Sequence, residues 1–262
     1  MASLASISAF AARWNETGKP IDILCNNAGM GSSPSGGTAF YTKDGFEIVH
    51  QVNFLSHVLL TMSVLPCVAK AAEPRVIFTT SCFHYPGKFE LDNWNGEKPG
   101  SGGLGGVQFY QNSKLALQTW LTELQHKCAT TDGYRHITVQ GVHPGYVNSG
   151  IWNMNNKGWG ETAKEVLLKT LAWFLAINPQ QGSMAIVHAA TAAECGAEPR
   201  VQGVGKEGGK SGRYWNRIWE EEPMPHTRDP DCRCRVWRRA NEELKLQDKG
   251  LLKDLGLECD GK

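Results

Sequence analysis

Tyr110 and Lys114 stand four residues apart. On a helix that spacing puts both side chains on one face, about one turn from each other. An ammonium beside a phenol favours the phenolate and lowers a pKa that starts near ~10, so such a tyrosine can give or take a proton near neutral pH. Taken alone, the pair is more often a helix-surface contact with no chemistry. Ser81 falls just past the end of a predicted strand, where sites gather in open α/β sheets. The turn Asn26-Asn27-Ala28-Gly29 closes the strand before it, and Pro144-Gly145 closes the strand after it. All three strand ends then face one crevice. Read singly, Ser81 is a serine capping a turn, and Asn53 is a polar residue on the outside of a helix.

These groups need a scaffold, and the apolar periodicity supplies one. Leu4, Ile7, Phe10, Ala11 and Trp14 mark one face of a first helix, stopped by Gly18 and Pro20. Residues 21–24 read as a buried strand that breaks into the Asn-Asn turn. A Gly/Ser/Pro-rich loop over 30–38 leads to a long helical pattern over about 44–72, then a strand over 75–80. Residues 81–106 form a polar, glycine-rich excursion. A helix over 108–128, a strand over 136–142, helices over 161–175 and 179–194, a short strand over 213–215 and a terminal helix over 232–246 complete the pattern. Strands alternating with helices predict an α/β fold, a doubly wound parallel sheet with helices on both faces.

Composition removes other classes. The chain has 262 residues, 41% hydrophobic and 20% charged, enough for one α/β domain over 1–262 without metal or disulfide staples. Lys plus Arg is 27 against 26 for Asp plus Glu, so there is no basic footprint for nucleic acid. Arg228, Arg233, Arg235, Arg238 and Arg239 are interleaved with Asp229, Asp231, Glu242 and Glu243. The segment 215–262 is expected to dock over the substrate excursion, with Trp215, Trp219 and Trp237 as apolar contacts. Uninterrupted apolar runs fall short of the roughly 18 residues that span a bilayer. Eight scattered cysteines with no zinc spacing read as reduced thiols, and no metal site is expected. That reading places the chain in the cytoplasm.

Taken jointly, the motifs resemble the short-chain dehydrogenase/reductase family, and within it the retinol-dehydrogenase-like branch. The residues that carry the resemblance are Asn26-Asn-Ala-Gly29, Val52-Asn53-Phe-Leu-Ser-His57, Thr80-Ser81 with His84 and Gly87-Lys88, Tyr110-Gln-Asn-Ser-Lys114, and His143-Pro-Gly-Tyr-Val-Asn-Ser149. The resemblance implies a Rossmann-like fold and an NADP- or NAD-dependent oxidoreductase, NADP favoured, acting on a small alcohol or ketone. Tyr110 would exchange the proton, Lys114 would hold the nicotinamide ribose and lower the phenol's pKa, and Ser81 would bond the substrate oxygen. Asn53 would kink its helix and hold a water relaying protons to Lys114. Asn26, Ala28 and Gly29 would lie along the adenine-ribose side; Pro144, Gly145, Val147 and Ser149 would cradle the nicotinamide. His57, His84 and His143 are taken as structural.

The family's Gly-rich nucleotide turn, with its flanking strand and helix, is expected ahead of residue 1. About two βα units, roughly 60 residues at about 30 each, are therefore missing from the pattern. Gly100-x-Gly102-x-x-Gly105 and Gly203-x-Gly205-x-x-Gly208 fit the turn's spacing but lack the strand-turn-helix context that gives it meaning. An N-terminally truncated sheet bares an edge, which a homodimer could cover. The alternative function is then a catalytically impaired remnant acting as an interaction protein. Trp152, Met154 and Trp159, with the excursion, point to a bulky apolar substrate.

Overall fold

The computed structural model describes residues 1–148, 176–196, 213–252, 254–257 and 259. Among these residues, five strands form one sheet in the order β1 (Ile23–Asn26), β2 (Arg75–Thr79), β3 (Thr138–His143), β4 (Arg213–Asn216) and β5 (Trp219–Glu221). The first four run parallel, with Asn26 opposite Phe78, Phe78 opposite Gly141 and Val142 opposite Trp215. β5 folds back antiparallel on β4. Side chains alternate across a strand. In β2, Val76 and Phe78 therefore join one core and Ile77 another, all three at most 1% exposed.

One face of the sheet carries α1 (Leu4–Glu16), α2 (Ile48–Val68) and α3 (Val107–Thr130). The other carries α4 (Pro179–Thr191), whose Ala185 and Ala189 pack on Ile77, Val142 and Trp215. The expected two-faced α/β architecture is present. α2 is 21 residues long and, by length and composition, apolar enough to cross a membrane, but 78% of its apolar window is buried inside the fold. It is longer than the uninterrupted apolar runs suggested because Asn53, Ser56, His57 and Thr61 sit within it, buried rather than at its ends.

α5 (Pro230–Leu244) lies along α3, with Trp237 stacked on Trp120 at 5.6 Å between ring centres. The segment after 215 meets the excursion at Trp94. The Trp94 indole N–H donates to Glu243, while Trp215 belongs to the α4 core and Trp219 is 69% exposed. The reduced-thiol reading fails at one pair: Cys234 on α5 is bonded to Cys259, their Cα atoms 5.7 Å apart, because the chain after α5 folds back over it. Among the described residues no group of His, Cys, Asp and Glu is arranged to hold a metal.

β1 is the outer parallel strand among the described residues, with Ile23 44% exposed, so the strand read as buried at 21–24 stands at the bared edge expected of this sheet. Gly102 and Gly106 are packing positions. A Cβ on Gly102 or Gly106 would collide with the carbonyls of Gly37 and Gly36, so the two loops approach backbone to backbone. The cluster at 203–208, the helix expected over 161–175, and Ser149, Trp152, Met154 and Trp159 lie outside the described residues.

Candidate active site

A cavity of about 470 Å³ opens at the C-terminal ends of β1, β2 and β3. Its walls include Ala28 and Gly29 after β1, Thr80 and Ser81 after β2, and Pro144, Gly145 and Val147 after β3. Parallel strands make this convergence automatic, since every strand ends on the same side. Tyr110 and Lys114, one turn apart on α3, reach in from the helix side. The groups singled out by type and spacing thus meet in one place.

Ser81 is an extended residue at the head of a short turn, and its Oγ accepts the Phe83 N–H at 3.2 Å. The same side chain is hydrogen-bonded to Tyr110. Lys114 Nζ donates to the Thr79 carbonyl at 2.7 Å and stands 5.6 Å from the centre of the Tyr110 ring. Burial pushes the Tyr110 phenol up to about 12, with the Ser81 bond pulling the other way, and burial brings Lys114 down to about 8. The expectation that Lys114 lowers the phenol's pKa is therefore not met. The ammonium lies over the ring and bonds a carbonyl rather than the hydroxyl, and desolvation outweighs it.

Asn53 does not line the cavity. It sits fully buried in a π-helical stretch, Gln51–Leu55, inside α2. Its Oδ1 accepts the Met30 N–H at 2.8 Å, and its Nδ2 donates to the Met30 carbonyl and to Ser113 Oγ. A π-helical turn stands where a kink was anticipated, and the side chain ties the loop after β1 to α3. Asn26 is displaced in the same way. Its Nδ2 donates to Thr61 Oγ1 and its Oδ1 faces His57, so Asn27 rather than Asn26 reaches the cavity. Alternation along the strand turns Asn26 inward.

Gly29 and Gly145 are constrained positions. A Cβ on Gly29 would lie 3.3 Å from Asn53 Oδ1 and 3.7 Å from Lys114 Nζ, and Gly145 has a φ of 94°. Val147 pairs its strand-like backbone with Ile177. His143, read as structural, lines the cavity; burial first, then the neighbouring His84, Arg217 and Lys114, bring it down to about 4. Sequence reasoning also missed Ile186 and Ser183 on α4, which close the far wall; only their helical register could have signalled them.

The model of the short chain dehydrogenase family matches residues 1–90. Polyprenol dehydrogenase of Mus musculus is 33% identical over 255 residues, covering 95% of this chain and 67% of that protein. The chain belongs to the short-chain dehydrogenase family. The chain is also similar to retinol dehydrogenases. Retinol dehydrogenase 13 of Homo sapiens is 29% identical over 249 residues, covering 94% of this chain and 67% of the relative. Across such curated relatives the chain spans 56% to 67% of their length. The crystal structure of an uncharacterized protein from Mycobacterium Paratuberculosis shares the fold of this chain, with a TM-score of 0.62 and 22% identity over 93% of this chain and 73% of that one.

Proposed function

We propose that this chain interconverts an alcohol and a ketone or aldehyde by hydride exchange with NADP or NAD, Tyr110 serving as acid and base. The observation that carries this reading is the meeting of Ser81, Tyr110 and Lys114 in one cavity at the strand ends. The residues present suit a nicotinamide dinucleotide. Lys114 gives one N–H to Thr79 and keeps two for ribose hydroxyls, and Gly29 lets backbone approach where a side chain would crowd Asn53. Ala28 and Gly29 would flank one end of the cofactor, and Pro144, Gly145 and Val147 the nicotinamide. When bound, the cofactor supplies or accepts the hydride.

The chain's own groups handle the oxygen and its proton. Ser81 donates to the substrate oxygen as charge builds there. Tyr110, with a pKa near 12, is protonated at neutral pH and so is loaded to give its proton in the direction of reduction. Alcohol oxidation needs the phenolate and gains as pH rises. Phe83, Val147 and Ile186 on the walls support a bulky apolar substrate. An assembled reacting set supports an enzyme over the interaction-protein alternative. The test is a thermal-shift titration with NADP and NAD, joined to turnover of NADPH with apolar aldehydes. Binding to the folded state alone raises stability by about 2.7 kcal/mol at a hundred times Kd. No shift with either nucleotide, together with no turnover, would overturn the proposal.

A further inference from the structure

His84 stands directly behind the proposed catalytic serine. The side chain is fully buried, and both ring nitrogens are used. Nδ1 lies 2.6 Å from the Ser81 carbonyl, which can only accept, so Nδ1 carries the hydrogen. Nε2 takes the Met224 backbone N–H at 3.0 Å, so it carries none. One neutral tautomer is thereby fixed by its two partners. The ring is further clamped by Tyr85, with ring centres 4.1 Å apart, and by Tyr214 at 4.9 Å.

Met224 belongs to a stretch that docks on this turn at three points. The Tyr85 hydroxyl donates to the Glu222 carbonyl, Met224 bonds His84, and His226 stacks against Phe89. The Ser81 carbonyl receives both the His84 backbone N–H at 3.0 Å and the ring N–H, which fixes the peptide plane from which the Ser81 hydroxyl projects. We propose that His84 is a positioning residue that holds Ser81 in its reacting orientation and that residues 222–226 act through it as a brace on the active site. Desolvation by burial holds the imidazole below its ordinary pKa, in keeping with the neutral form this geometry requires.

This inference rests on the proposed dehydrogenase activity, and two substitutions separate its parts. In His84→Asn the amide N–H can take the place of Nδ1 and keep the bond to Ser81. In His84→Gln the longer side chain reaches the Nε2 position and serves Met224 while Ser81 loses its donor. With NADPH and decanal as the probe pair, His84→Gln should lose about tenfold in kcat, the worth of one hydrogen bond, at unchanged KM for NADPH. His84→Asn should stay within about threefold of the wild type. Amide hydrogen exchange over 81–85 should quicken in His84→Gln and not in His84→Asn. Equal losses in both variants, or a His84→Gln protein with wild-type kcat, would overturn the positioning role. If the wild type turns over no NADPH and neither nucleotide shifts its melting temperature, the activity proposal fails by itself. The exchange comparison still decides the role of His84, because unaltered protection over 81–85 in His84→Gln overturns it.

Discussion

The two halves of α3 bury polar groups in opposite ways. Toward its C-terminal end Glu123, 2% exposed, lies between Arg233 at 3.5 Å and Lys127 at 4.0 Å, and Lys127 also caps the Leu255 carbonyl and faces the Trp237 ring. Each charge there has an internal counterpart. Toward the N-terminal end, Tyr110 and Lys114 are as deeply buried, yet both are driven away from their ordinary pKa values and both face a cavity. Buried charge that is matched inside the protein holds the fold together. Buried groups left displaced at a cavity wall are the mark of a site.

The sharpest way to break this contrast is Tyr110→Phe. Turnover should fall by about a thousandfold, within the range for general acid catalysis, with the melting temperature almost unchanged. A rate within a few-fold of wild type would remove the phenol from the mechanism. At the other end of the helix, Trp237→Ala should cost about 3–5 kcal/mol of stability by opening a void against Trp120, while kcat per folded molecule holds. Denaturant unfolding beside steady-state rates measures both quantities. Cys234→Ser should cost about 2–4 kcal/mol, again sparing kcat.

On stability, Lys114→Met gives the smallest effect and the opposite sign. The folded-state pKa of about 8 lies below the unfolded value of 10.5, so below pH 8 the unfolded chain binds the proton more tightly and the native lysine destabilises the fold. Removing it should raise stability by about 2 kcal/mol at pH 7, after allowance for the lost bond to Thr79, and abolish turnover. The gain should shrink as pH climbs from 8 toward 10.5 and vanish above it. Thermal melts across that range test the sign.

Much of this was legible in the residues themselves. Alternation of apolar runs with helical periods placed β2, α3, β3 and α5 within a few residues, because each carries its own period and stop signal. Ser81, Tyr110 and Lys114 were legible since strand ends and a four-residue helical step fix where they point. The side-chain partners of Asn26 and Asn53 were not legible because which way a buried amide faces depends on partners distant in sequence, here Thr61, His57, Met30 and Ser113. β5 went unseen because its turn uses Arg217, at a φ of 58°, where a glycine or asparagine would have announced a hairpin. The pairing of Cys234 with Cys259 was equally hidden, as 25 residues of chain separate them and neither lies in a recognisable motif.

The central claim is that a hydride and a proton reach the substrate from two different sources in one cavity. Its most direct test uses NADPH deuterated at the transferable hydrogen, an apolar aldehyde and mass spectrometry of the alcohol formed. One deuterium on the carbinol carbon, with the hydroxyl hydrogen drawn from solvent, is the predicted result. An unlabelled alcohol, or no alcohol at all, would contradict it.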